Sequence, residues 1–268
     1  MRSSETVGRR GVARALLRTA RMGLREYGIE YPPAVLCAAV LPRTVLQAVF
    51  LTVLGGAAGG SCGALTAGIG ASAFGAVTAT VVKAPDVLIN ERVQGTLYRL
   101  RMTDLPLAGL VGARWLVYLV EGLAATLVAV PVVALLTGEY GLLTGLGAAL
   151  PLYALMALTS GGFGLAVAVL AVGRRADVFL TNLASYLVLA LSGVLAPLPG
   201  DGLRATLGGL LPLAHGIAAL RALHAGEGPV LTAAAAEALV GVAWGAVAVL
   251  GLRLQAVRSR RTGSDFLF

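Results

Sequence analysis

"INERVQGTLYRLRMTDLP", residues 89–106, is the most polar stretch in the interior of an otherwise apolar chain. Glu91, Arg92, Arg99, Arg101 and Asp104 crowd into it, while Ala, Val, Leu and Gly dominate on both sides. That contrast decides the class of fold. Charged residues make up 13% of the chain, against about 25% in a soluble domain. Hydrophobic residues make up 57%, and mean hydropathy is +0.85. There is too little charge to coat one large core, so the chain reads as an integral membrane protein.

Working outward from the polar stretch, the apolar runs can be counted. A spanning helix takes roughly 20 mostly apolar residues. Upstream lie residues 34–54 and 62–82, divided by the glycine-rich "GGAAGGS". Downstream, 107–136 ends at "TGEYG", and 142–172 is expected to break at Pro151 and at "SGGFG". The run 178–195 follows "GRRAD", a mixed stretch occupies 197–229, and 230–252 is the last run. The sequence shows no internal repeat and no long linker. The expected fold is a single all-α integral membrane domain, 1–268, with six transmembrane helices.

Basic residues set the orientation, because cytoplasmic loops hold an excess of Lys and Arg. Arg2 to Arg25 precede the first span, and Lys83, Arg92, Arg99 and Arg101 lie between the second and third. Arg174 and Arg175 follow the fourth, and Arg253 to Arg261 close the tail, 253–268. With six spans all of these fall on one side, leaving Arg204 and Arg221 opposite. Both termini are therefore expected in the cytoplasm, in a multi-pass protein of the plasma (inner) membrane. The net charge of +8 follows from this bias. A nucleic-acid partner would need a basic soluble domain with interleaved aromatics, and none is present.

Within the arm, 1–31, Arg10, Arg14, Arg18, Arg21 and Arg25 recur at helical spacing and share one face. Leu16, Ala20, Leu24 and Tyr27 fall largely on another. This predicts an interfacial amphipathic helix suited to anionic lipid, ending before Tyr31-Pro32-Pro33.

The search for chemistry returns little. Cys37, Cys62, His215 and His224 are the only cysteines and histidines, and their spacing makes no metal site. Packing roles suffice for both cysteines, and interfacial packing for both histidines. A P-loop needs a lysine after its glycines to reach the phosphates. Lys83, in "ATVVKAP", is the only lysine and has no glycine beside it. No cofactor and no ATP site are expected in this chain.

Arg43, Glu121 and Glu237 fall inside apolar runs and ask for partners. An unpaired Arg43 near mid-span would cost at least ~2.5–3.5 kcal/mol on insertion scales. Glu121, six residues past an inner interfacial anchor at Trp115, and Glu237, seven residues into the last span, both lie within an arginine's reach by depth. A structural ion pair is the preferred reading, with Glu237 slightly ahead of Glu121. The alternative is a pathway contact.

The polar stretch itself carries an apolar stripe, Ile89, Val93, Leu97 and Leu100. Glu91, Gln94 and Arg99 point elsewhere, and Gly95 would admit a close partner surface. "ERVQGTL", 91–97, followed by Pro106, resembles the coupling helix of the type-2 ABC exporter permeases. "LSGVLAPLP", 191–199, and "LLPLAHGIAALRALHAG", 210–226, are similar to the short outer re-entrant helices of that family. With the basic arm and tail, the resemblance covers nearly the whole chain.

The resemblance implies a cytoplasmic coupling helix in 83–105, with Glu91, Arg92, Gly95, Thr96 and Arg99 contacting a separate ABC ATPase subunit. Mg-ATP would sit on that subunit. It also implies a dimer with a second permease copy or a related one, and an outer gate in 197–229 that includes Pro212, His215 and Arg221. The implied function is ATP-driven export of an amphipathic small molecule, a drug or secondary metabolite. Export of a lipid-linked glycan, or a non-transporting membrane scaffold of the same fold, are the alternatives that the residues leave open. An intramembrane enzyme ranks third, for want of a catalytic constellation.

Overall fold

The computed structural model describes residues 9–84, 86–87, 107–171 and 177–262. All regular structure among them is helical. Helix α1, Arg9–Glu30, stops just ahead of Pro32 and Pro33, as the prolines require. A short turn, Pro33–Val35, and a π-helical turn, Leu36–Val40, lead into α2, Leu41–Thr80. The widened turn lies immediately before Pro42, whose ring needs room against the preceding backbone.

A straight helix of the 40 residues of α2 would reach ~60 Å, twice the ~30 Å hydrocarbon core of a bilayer. It does not run straight. Gly59 (φ −141°, ψ 19°) and Gly60 (φ 63°, ψ −152°) interrupt it, and Gly60 adopts a conformation that is essentially open to glycine alone. The two halves fold back on each other. Gly55 and Gly63 approach so closely that a Cβ on either would run into the other's backbone. Thr52, one turn further from the break, faces Gly68.

Helix α3, Leu107–Thr137, runs antiparallel to the second half of α2, with Gly122 against Ala76 and the Thr126 hydroxyl donating to the Ser72 carbonyl at 3.2 Å. A single turn, Gly141–Thr144, precedes α4, Leu146–Ala171. Here the structure corrects an expectation, because α4 passes unbroken through both Pro151 and "SGGFG". Pro151 lies near the helix start and forgoes a single backbone bond. The glycines are used for close packing instead. Gly161 lies under the Trp115 indole, Gly162 against the backbone of Gly245, and Gly164 against the backbone of Val81. Trp115 is correspondingly buried, 5% exposed, with its indole N–H 3.4 Å from the Thr80 carbonyl. It is a core residue and not the interfacial anchor expected from its position.

Helix α5, Asp177–Leu191, is shorter than its apolar run, and residues 192–196 bend away. Helices α6, Leu203–Gly209, and α7, Ala214–Ala225, meet at 93°. Helix α8, Val230–Thr262, then runs parallel to α4: Thr159 lies at Gly241, Gly162 at Gly245 and Val169 at Gly251. Among the described residues four helical stretches can cross a membrane by length and composition, or five if α6 and α7 count as one bent span. Met156, Val188, Leu213 and Ile217 are among the fully buried residues where α4, α5 and α7 meet. Cys37 and Cys62 are exposed and free, so neither has the packing role expected of it.

Candidate functional site

At the face where α1 lies, three elements converge on one carboxylate. Leu16, Ala20, Gly23 and Tyr27 form the part-buried stripe of α1, while Arg14, Arg18, Arg21 and Arg25 are exposed as their spacing predicts. Leu24, expected in the stripe, is exposed; the buried Gly23 takes the contact, where a Cβ would come within 3.3 Å of the Arg114 backbone. Glu26 lies 3.5 Å from the Arg114 guanidinium. One turn on, the Tyr27 ring meets Tyr118 edge-on, and its hydroxyl donates to Glu121 Oε2 at 2.9 Å.

Lys83, in the turn just after α2, donates to both Glu121 oxygens, at 2.6 and 2.7 Å. Its ammonium also sits 4.0 Å from the centroid of the Tyr31 ring, with Tyr27 and Tyr118 near 6 Å, at 5.6 and 5.9 Å, an arrangement that favours a cation. Both side chains are buried, 8% and 5% exposed. A buried pair offsets its desolvation only with good geometry and further hydrogen bonds. The bidentate contact and the tyrosine hydroxyl supply these. Burial, then the carboxylates of Glu30, Asp86 and Glu121, pushes the Tyr31 hydroxyl up to about 12. Tyr27 is raised as well, by burial first and then by Glu121. Both phenols therefore stay neutral at physiological pH, and Tyr27 donates to Glu121.

At the opposite face a second buried charge is satisfied differently. Glu237 of α8 is fully buried. Its Oε1 accepts from the Thr159 hydroxyl at 2.5 Å and the Leu213 N–H at 2.9 Å, and its Oε2 accepts from the Gly216 N–H at 2.9 Å. The two backbone donors belong to the start of α7, the positive end of a helix that attracts an anion. Leu213 is held there at φ 74°, in the left-handed region that costs a non-glycine residue about 1–2 kcal/mol. Gly216 lacks the Cβ that would collide with Met156.

Arg221, on α7, takes the complementary role. Its Nη2 lies 2.8 Å from the Thr66 carbonyl, 2.9 Å from that of Gly193 and 3.2 Å from that of Val194. These carbonyls belong to the second half of α2 and to the bend where α5 stops, which lies directly on Gly70. A helix that ends early leaves carbonyls without partners, and apolar surroundings make that expensive. The guanidinium answers this need.

The expected pairing of Arg43 with Glu237 or Glu121 is therefore corrected. Glu121 is held by Lys83 and Tyr27, Glu237 by a hydroxyl and two backbone N–H groups, and Arg43 is exposed on the first half of α2. Of the other expected gate residues, Pro212 is buried at the bend before α7, and a His215 ring nitrogen lies 3.1 Å from the Gly209 carbonyl. Glu91, Arg92, Gly95, Thr96 and Arg99 lie outside the described residues. Among the described residues no group of three or more His, Cys, Asp or Glu stands close enough to hold a metal.

Sequence reading missed Lys83, Tyr27, Thr159 and Gly216. Lys83 offered a signal, since it closes one apolar run on the side at which the next, the one holding Glu121, begins. The donors to Glu237 offered none, because two are backbone groups and the third is one threonine among many.

Comparison with known proteins bears on this geometry. No curated protein and no solved structure matches the chain. A family model, the ABC-2 type transporter, matches residues 33–224, from the turn before α2 to the end of α7. That span contains α2 to α7 and leaves out α1 and α8. The chain belongs to the ABC-2 type transporter family, as a multi-pass membrane subunit of an ABC transporter.

Proposed function

We propose that the protein is the permease of an exporter that moves an amphipathic small molecule outward, driven by a separate ATPase subunit bound in the cytoplasm. The family match over residues 33–224 carries this reading. Six spans follow if α2 counts as two, divided at Gly59–Gly60, and α5 counts as one. Direction supports that count. Helices α4 and α8 run parallel, so the chain between them crosses an odd number of times. A single crossing by α5, with α6 and α7 dipping in and returning, satisfies this.

In this arrangement α1, the stretch 83–105 and the tail 253–268 are cytoplasmic. The exposed arginines of α1 meet anionic lipid headgroups at the inner leaflet. Two copies, or this chain and a related one, enclose the pathway. Closure of the ATPase subunits displaces the coupling stretch through Glu91, Arg92, Gly95, Thr96 and Arg99. The outer segment, 197–229, covers the exit. Lys83 is buried against Glu121 beneath tyrosine rings, which supports placing Mg-ATP on the partner subunit.

Affinity purification from the native membrane, followed by ATPase assays across a panel of amphipathic compounds, tests the proposal. The expected result is capture of a P-loop ATPase whose turnover rises with at least one compound, while the permease alone hydrolyses no ATP. Robust hydrolysis by the contaminant-free permease would overturn it.

A further inference from the structure

Helix α7 is fastened on two sides, and the two fastenings are unequal. On the side of α4 and α8, every oxygen of the Glu237 carboxylate has a donor, three in all. The packing there is tight as well, with Gly216 on Met156 and Gly241 on Thr159. On the side of α2 and residues 192–196, the Arg221 Nη2 carries two hydrogens but faces three carbonyls. Among the described residues the buried Arg221 Nε and the buried Ser192 Oγ have no hydrogen-bond partner on this side, against the single buried Ser160 Oγ on α4. Buried donors left unmatched favour a state in which water reaches them.

We infer that Glu237 is the positioning residue of the outer segment: α7 stays with α4 and α8 when the exit opens, and parts from α2 and residues 192–196 at Arg221. This rests on the reading of 197–229 as the exit cover. It names the seam along which that cover opens.

Two positions on α7 distinguish the sides. Ala214 lies seven residues before Arg221 and shares its face, whereas Leu220 lies four and seven residues after Gly216 and Leu213 and shares the face toward Glu237. Both are buried, at 6% and 4% exposure. Single cysteines at Ala214 and Leu220 would be placed in the full-length chain in lipid nanodiscs, with Cys37→Ser and Cys62→Ser removing the native thiols. The rate of reaction with a small polar maleimide is the readout.

The expected result is roughly tenfold faster labelling at position 214 than at 220, the signature of local opening at one seam. Arg221→Met should raise the rate at 214 and leave 220 unchanged. Glu237→Gln should expose 220, because an amide sets its own N–H₂ against one of the backbone donors. Equal or faster labelling at 220 in the otherwise unaltered chain would overturn the inference, whether or not the two clasp variants fold. That comparison is independent of any ATPase, so equal rates would leave the proposed function standing.

Discussion

Lys83→Met should destabilise the permease more than any other single change at the α1 face. The substitution leaves Glu121 buried with the Tyr27 hydroxyl as its remaining described donor. Removing one member of a buried pair costs about 3–5 kcal/mol in soluble proteins, most of it from the charge left behind. The penalty should appear as a lower unfolding midpoint and less monodisperse protein. The double variant Lys83→Met/Glu121→Gln should recover most of the loss. Methionine fills the lysine stem's path between the tyrosine rings, and the glutamine oxygen still accepts from Tyr27. Additive losses in the double variant would mean that the two residues do not act as a pair.

The largest functional effect is expected in the polar stretch, residues 89–106. Glu91→Ala removes a carboxylate that can accept charge-assisted hydrogen bonds from a partner's basic or backbone donors. Gly95→Leu places a side chain where two surfaces must approach closely. Both should leave the permease folded while abolishing most of the export and weakening retention of the ATPase. Val93→Asp and Leu97→Asp should act differently and lower the amount of folded permease. Those positions belong to the apolar stripe of the sequence, and under the proposed function charge there opposes docking on the bundle. Transport and co-purification measured side by side in the four variants separate the two classes. Undiminished export by Glu91→Ala and Gly95→Leu would reduce the stretch to a solvated loop.

What the sequence made legible follows the physics that each signal reports. Apolar runs and glycine punctuation located α3, α8 and the break within α2, because a lipid-spanning stretch must be long and uniformly apolar. The exposed arginines of α1 were readable from their spacing. Glycine within a run was ambiguous: "GGAAGGS" turns the chain, whereas "SGGFG" lets Trp115 and Val81 press against an unbroken helix. Only the neighbours decide which, and those are remote in sequence. The charges misled for a related reason. Depth along a span identified candidates for Arg43, but the actual partners of Glu237 are backbone donors of a helix start. A sequence does not mark that start as a cation's equivalent. Lys83 was set aside as the lysine of a missing ATP site, while its distance from Glu121, 38 residues along the chain, hid an ion pair.

The central claim is that a cytoplasmic ATPase drives this permease through residues 83–105. A photo-crosslinking residue at Gln94, beside the apolar stripe and between Glu91 and Gly95, tests it most directly in intact cells. The account predicts an adduct between this chain and a P-loop ATPase subunit, lost when Gly95→Leu is added. Adducts confined to lipid or to the permease itself, with the complex otherwise intact, would contradict it.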